Sequence, residues 1–146
     1  MGFSSSQAAR LAGCTTAQLE SWNRAGLVVA RDDDEGPYDF RDLVALRMVK
    51  SLLDAGLSLA RVRRALTEVA RGGDELSGLQ LVTDGDRVWA CRDDGQILDA
   101  LKHGQLALFV SVGRLAADVE ADVREFSRER QTFVEGLRGD HPAGSG

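Results

Sequence analysis

Apolar residues recur along this chain with two different periods, and the change from one to the other divides it. Spacings of three and four, which set side chains on one face of a helix, link Leu19 to Trp22. They run again through Leu43, Leu46, Met48, Val49, Leu52 and Leu53, and once more through Leu59, Val62, Leu66 and Val69. Two short apolar runs follow at 79–82 and 87–91, parted by the turn residues Thr83, Asp84, Gly85 and Asp86, and predict a β-hairpin. Helical spacing returns over 96–102 through Ile97, Leu98 and Leu101, and the β-rich run 106–112 supplies a third strand after Gly104 and Gln105. Over 114–138 the period is helical again. Val112, Val119, Phe126 and Phe133 recur every seven residues, with Ala116, Val123 and Leu137 on the interleaved line and Arg130 interrupting it.

Local signals sharpen the first part. Ser4 and Gln7, then Thr15 and Gln18, each have the spacing of a capping box, in which a hydroxyl accepts from the third amide and the amide side chain reaches back. Two helix starts are thus signalled about a dozen residues apart, with Gly13 for the turn between them. That arrangement is a helix-turn-helix, whose second helix ordinarily enters a DNA groove. The stretch 27–38, LVVARDDDEGPY, reads as a short β-hairpin wing. Asp39 is placed to cap the next helix, which runs to Gly56, Ser58 starts another, and Gly72 with Gly73 mark a domain boundary.

The segments LESWNRAGL, YDFRDLVALR and DAGLSLARVRRAL follow the helix-turn-helix in that order and spacing. In this they resemble the DNA-binding domain of the bacterial MerR family of transcription regulators, over roughly residues 3–70. The resemblance implies a winged helix-turn-helix with a further helix pair, a C-terminal antiparallel dimer helix, and a homodimer on a pseudo-palindromic operator in double-stranded DNA. It also implies bending or untwisting of a promoter. Residues 76–113 are similar to a small domain found behind MerR-like heads in actinobacterial regulators.

The fold class expected is therefore α+β, mainly α. A winged helix-turn-helix domain (3–71) is followed by a small β-β-α-β module (76–113), a C-terminal coiled-coil-like dimerisation helix (114–138) and a polar tail (139–146). In the second helix Leu19 and Trp22 face the core, which leaves Thr16, Gln18, Glu20, Ser21 and Asn23, with Thr15 at the cap, toward a groove. Gln18 and Asn23 carry amides suited to adenine edges. Arg24, Arg41 and Arg47 are candidates for phosphate, as is the helix start at Ser58, and Tyr38 matches the family's wing tyrosine. The dimer seam would comprise Val119, Val123, Phe126, Arg130, Phe133 and Leu137.

Charge supplies a second reading. The chain carries a net charge of −5. Up to Ala70, however, nine basic and nine acidic residues balance, and local phosphate contacts rather than net charge set affinity. Glu20 stands where the family usually carries an arginine, and Asp32, Asp33, Asp34 and Glu35 make the wing acidic. A MerR-like fold reused as a protein-interaction adaptor is the alternative. Cys14 and Cys91 are isolated and lack a zinc or disulfide spacing. His103 and His141 have no nucleophile partner in a recognisable motif, and no phosphate loop is present, so neither an enzyme nor a cofactor or metal is expected. No apolar run is long enough to span a bilayer, and a cytoplasmic protein with no membrane partner is expected.

Overall fold

The computed structural model describes residues 2–32, 36–71, 76, 78–83, 88–102 and 108–139, with the backbone alone at 94, 101, 108–109 and 133–139. Asp33, Asp34 and Glu35 of the wing, Gly72 and Gly73, the turn at Asp84–Asp86, His103, Gly104, Gln105 and the tail beyond Gly139 lie outside the described residues. So do the side chains of Phe133 and Leu137.

The first two helices are α1 (Ser5–Ala12) and α2 (Thr16–Arg24), and both expected capping boxes form. Ser4 Oγ accepts from the Gln7 amide at 3.2 Å while Gln7 Oε1 accepts from the Ser4 amide at 3.0 Å. Gly13 turns the chain between them at φ 76°, a left-handed value that an L side chain rarely adopts. α3 (Phe40–Asp54) starts from a third box, in which Asp39 and Asp42 exchange hydrogen bonds of 2.9 Å. α4 (Leu59–Arg71) begins where Ser58 Oγ accepts from the Arg61 amide. Leu59, expected on its apolar face, is 48% exposed at the first position of the helix, while Val62 is fully buried three residues on.

The second half follows the predicted order β-β-α-β and then helix. Strands β1 (Gln80–Thr83), β2 (Val88–Cys91) and β3 (Leu108–Ser111) form an antiparallel sheet in the order β2-β1-β3. α5 (Asp94–Leu101) starts two residues earlier than its apolar spacing suggests, because Asp93 caps it by accepting from the Gln96 amide at 2.8 Å. α6 (Val112–Gly139) continues directly from β3.

Two sequence expectations change. No strand ladder forms among the described residues of 27–38. The Arg31 amide donates to the Pro37 carbonyl at 2.9 Å, and Tyr38 forms an isolated antiparallel bridge with Phe3. The N-terminus thus supplies the partner that a second wing strand would have offered. In addition, the head and the β-containing segment share one apolar cluster. Leu76, Leu79, Leu81, Val112, Val119 and Phe126 pack with residues of all four head helices, such as Leu11, Leu19, Leu46 and Val62. Val82, Cys91 and Ala100 make a smaller cluster on the other face of the sheet.

One glycine is sterically required. Gly36 sits at φ 131°, and a Cβ there would come within 2.7 Å of the Phe3 backbone, which no side-chain rotation relieves. Gly36→Ala is expected to destabilise the chain by about 2 kcal/mol or more, read as a lower urea midpoint in a chemical denaturation. An unchanged midpoint would mean that Phe3 is not held against the wing stem.

Candidate nucleic-acid interface

α2 is held from below and open above. Leu19 and Trp22 are 2% and 5% exposed in the core, as their spacing predicts. Thr16, Ala17, Gln18, Glu20, Ser21 and Arg24 are exposed, and together they form a convex polar face about two turns long. The helix end is anchored by Arg63 of α4, whose guanidinium donates to the Ala25 carbonyl. That tie links the end of α2 to α4.

The amides expected to read bases are partly engaged within the fold. Gln18 Oε1 accepts from the Thr15 amide at 3.0 Å, and Thr15 Oγ1 accepts from the Gln18 amide at 3.0 Å. Gln18 therefore turns its NH2 group outward, which suits an acceptor such as guanine O6 or a phosphate better than the two-pronged adenine pattern. Asn23 is half-buried, and its Oδ1 accepts from the Ala30 amide at 3.0 Å, pinning the wing stem to α2. Sequence spacing could not show this, because the partner lies beyond the helix.

Two further candidates have partners within the fold. Tyr38 is 2% exposed, and burial pushes its phenol above the ordinary range. Its backbone bridges to Phe3, and the residue lines a small pocket with Thr16, Glu20 and Asn23 of α2. Arg47 Nε and Nη2 both donate to the Leu11 carbonyl, at 3.0 and 2.8 Å, and its guanidinium also pairs with Asp122 of α6. It ties the end of α1 to α6.

The other cations stand nearer the surface. Arg24 is exposed at the end of α2, and Arg41 is half-buried in the first turn of α3. Ser58 is exposed at the start of α4. Arg31, not singled out by the sequence, pairs with Asp39 at 2.6 Å and Asp42 at 3.2 Å and so braces the wing stem on α3. Burial raises Asp39, but the Asp42 amide and then Arg31 outweigh it and hold that carboxyl low. Burial raises Asp42, and the neighbouring Asp39 charge adds to this. An arginine flanked at eight and eleven residues by aspartates was the available signal for this brace.

Two of the seam residues of α6, Val119 and Phe126, turn inward. Val119 is fully buried and Phe126 is 8% exposed, with its ring 6.4 Å from that of Phe3. Arg10 and Arg130 lie 5.9 and 5.7 Å from the centre of the Phe126 ring, and Arg10 also pairs with Glu129 at 2.9 Å. Val123 packs at the edge of the same cluster. Val119 and Phe126, expected to face a second subunit, instead fasten α6 to α1 and α3 of their own chain, because the head offers an apolar surface to the same stripe. Both cysteines read as packing residues, with burial raising each thiol. Among the described residues no group of His, Cys, Asp and Glu could hold a metal, and no helix is long and apolar enough to cross a membrane.

Comparison with known proteins decides what this architecture is. The profile of the MerR HTH family regulatory proteins matches residues 3–69, from the Phe3 bridge to the last buried valine of α4. Residues 3–69 belong to the MerR regulatory family. Relatives extend the likeness beyond this MerR head. The chain is similar, at 31% identity over 137 residues, to proteins of Mycobacterium tuberculosis and Mycobacterium bovis described as uncharacterized HTH-type transcriptional regulators. The alignment covers 89% of this chain and 61% of those relatives, so the likeness includes the sheet and most of α6. The chain thus spans about three-fifths of the length of the curated relatives it matches.

Proposed function

We propose that this MerR-type regulator binds double-stranded operator DNA as a homodimer, with the outer face of α2 in the major groove and Arg24, Arg41 and the Ser58 helix start on flanking phosphates. The observation that carries this is the exposed polar face of α2, held rigidly by Trp22 beneath and Arg63 at its end. Rigid support matters because a recognition helix discriminates bases only when its register against the groove is fixed. Thr15, Thr16 and Ser21 supply hydroxyls at the contact, and Gln18 an outward NH2 group.

Dimerisation in this reading uses the C-terminal part of α6. A helix of 28 residues is about 42 Å long, and the core residues Val112, Val119 and Phe126 account for its first half. Phe133 continues that line in the sequence, with Arg130 and Leu137 on the interleaved one. Two heads so joined would meet half-sites about one DNA turn apart. Hydroxyl-radical footprinting on the chain's own upstream DNA should show two protected patches separated by roughly 10–10.5 base pairs or a multiple of that spacing. A single unpaired patch would contradict the dimeric arrangement, and uniform cleavage would contradict binding.

Glu20 favours the adaptor reading, since a carboxylate in the middle of the presented face repels phosphate. Glu20→Arg separates the two. If α2 already lies against a duplex, the substitution should raise affinity for random DNA by about tenfold and steepen its salt dependence by about one unit. No gain would mean that α2 faces something other than DNA.

A further inference from the structure

We propose that Glu20 is a specificity-determining residue of α2 and reads a cytosine in each half-site, its carboxylate accepting a hydrogen bond from the exocyclic amine of that base. The inference rests on the operator reading of α2 and names what that face selects. With Leu19 and Trp22 buried beneath, the residues of α2 turned furthest from the core are Ala17, Glu20, Ser21 and Arg24, spaced by three and four along one exposed ridge. From Ala17 to Arg24 the ridge spans about 10 Å, or roughly three base steps. Glu20 stands near its middle, where a helix lying in the major groove comes closest to the base edges.

Glu20 differs from its polar neighbours in what it offers. Among the described residues no hydrogen bond or ion pair holds it. Gln18 Oε1 and Asn23 Oδ1 already accept from the Thr15 and Ala30 amides, which leaves their NH2 donors to present. Arg24 is donor only, and the hydroxyls of Thr16 and Ser21 serve either way. Glu20 is the one carboxylate of α2, and when ionised it only accepts.

An acceptor-only group has few partners on a duplex. Phosphates repel it, and so do guanine O6 and N7 and thymine O4. Adenine offers its N6 amine but sets the N7 acceptor beside it, whereas cytosine presents its N4 amine alone. A carboxylate on the floor of the major groove is therefore satisfied by cytosine and opposed by an acceptor on every other base. Desolvating it without a donor costs more than a neutral contact would. The charge that weakens binding to random DNA thus acts as a filter, lowering affinity wherever cytosine does not stand under Glu20.

The experiment is selection from a randomised duplex library by the whole chain, by Glu20→Ala and by Glu20→Gln. The affinity of each protein is then measured for the selected site with all four bases at each position. The unaltered chain should prefer cytosine at one position in each half-site by about fivefold to a hundredfold. Glu20→Ala should reduce that preference to about twofold or less, keep the preferences at other positions, and bind random DNA more tightly. Glu20→Gln should shift the same position toward adenine, because an amide brings an acceptor and a donor together. Preferences retained elsewhere in the site show that each variant is folded. If the unaltered chain selects no site, the operator reading fails and this inference with it. If it selects a site and Glu20→Ala keeps every preference, operator binding stands and the role of Glu20 is overturned. A base other than cytosine at the position that Glu20→Ala relaxes would overturn it equally.

Discussion

Phe126→Ala is expected to destabilise this chain by about 3–5 kcal/mol and to lower its Tm by roughly 10 °C or more. The ring is 8% exposed, packs on Phe3 and has the guanidiniums of Arg10 and Arg130 within 6 Å of its centre. Its removal leaves a void under α6 and releases two cation–π contacts, so transfer and cavity costs add. Thermal unfolding at two protein concentrations tells where this energy resides. Packing within one chain predicts the same loss at both concentrations, since the contacts of this ring then do not depend on association. A loss that changes strongly with concentration would mean that Phe126 belongs to a subunit interface, as its heptad spacing alone suggests.

The second large effect concerns DNA. Replacing Arg24 and Arg41 together by alanine is expected to lower affinity for upstream DNA by roughly tenfold to a hundredfold and to reduce the salt slope by about two. Neither residue is among the most buried side chains, so the fold should survive the change. Fluorescence anisotropy across a salt series measures both quantities at once. If affinity and slope were both unaltered, these arginines would not touch phosphate and the assignment of the DNA face would fail. Arg47→Ala makes a contrasting control: its effect should fall on stability, because its donors are held by Leu11 and Asp122.

Which parts of this molecule were legible in advance follows from the range of the interactions. Capping boxes are local, and all four residues of Ser4–Gln7 and Thr15–Gln18 do what their spacing requires. Periodicity likewise placed Leu19, Trp22, Leu43, Leu46 and Val62 in the core. Failures arose where a partner lies far along the chain. Nothing near Tyr38 announces its bridge to Phe3, and nothing near Arg47 announces Leu11 and Asp122, 36 and 75 residues away. The stripe on α6 was read correctly as apolar, but a stripe does not state what covers it. Here the head's own α1 and α3 do so over its first half. The candidate DNA face was visible as a helix face and the Gln18 tie as a capping box, while the tie of Asn23 to the Ala30 amide was not.

The most direct test of operator binding is a fluorescence titration of the purified chain against pooled genomic fragments that include its own upstream region, at low and near-physiological salt. Binding by a rigid α2 face with flanking phosphate contacts predicts selective capture of a few fragments, with affinity falling steeply as salt rises. Failure to capture any fragment selectively at either salt would contradict it, and the face around Glu20 would then be a surface for protein.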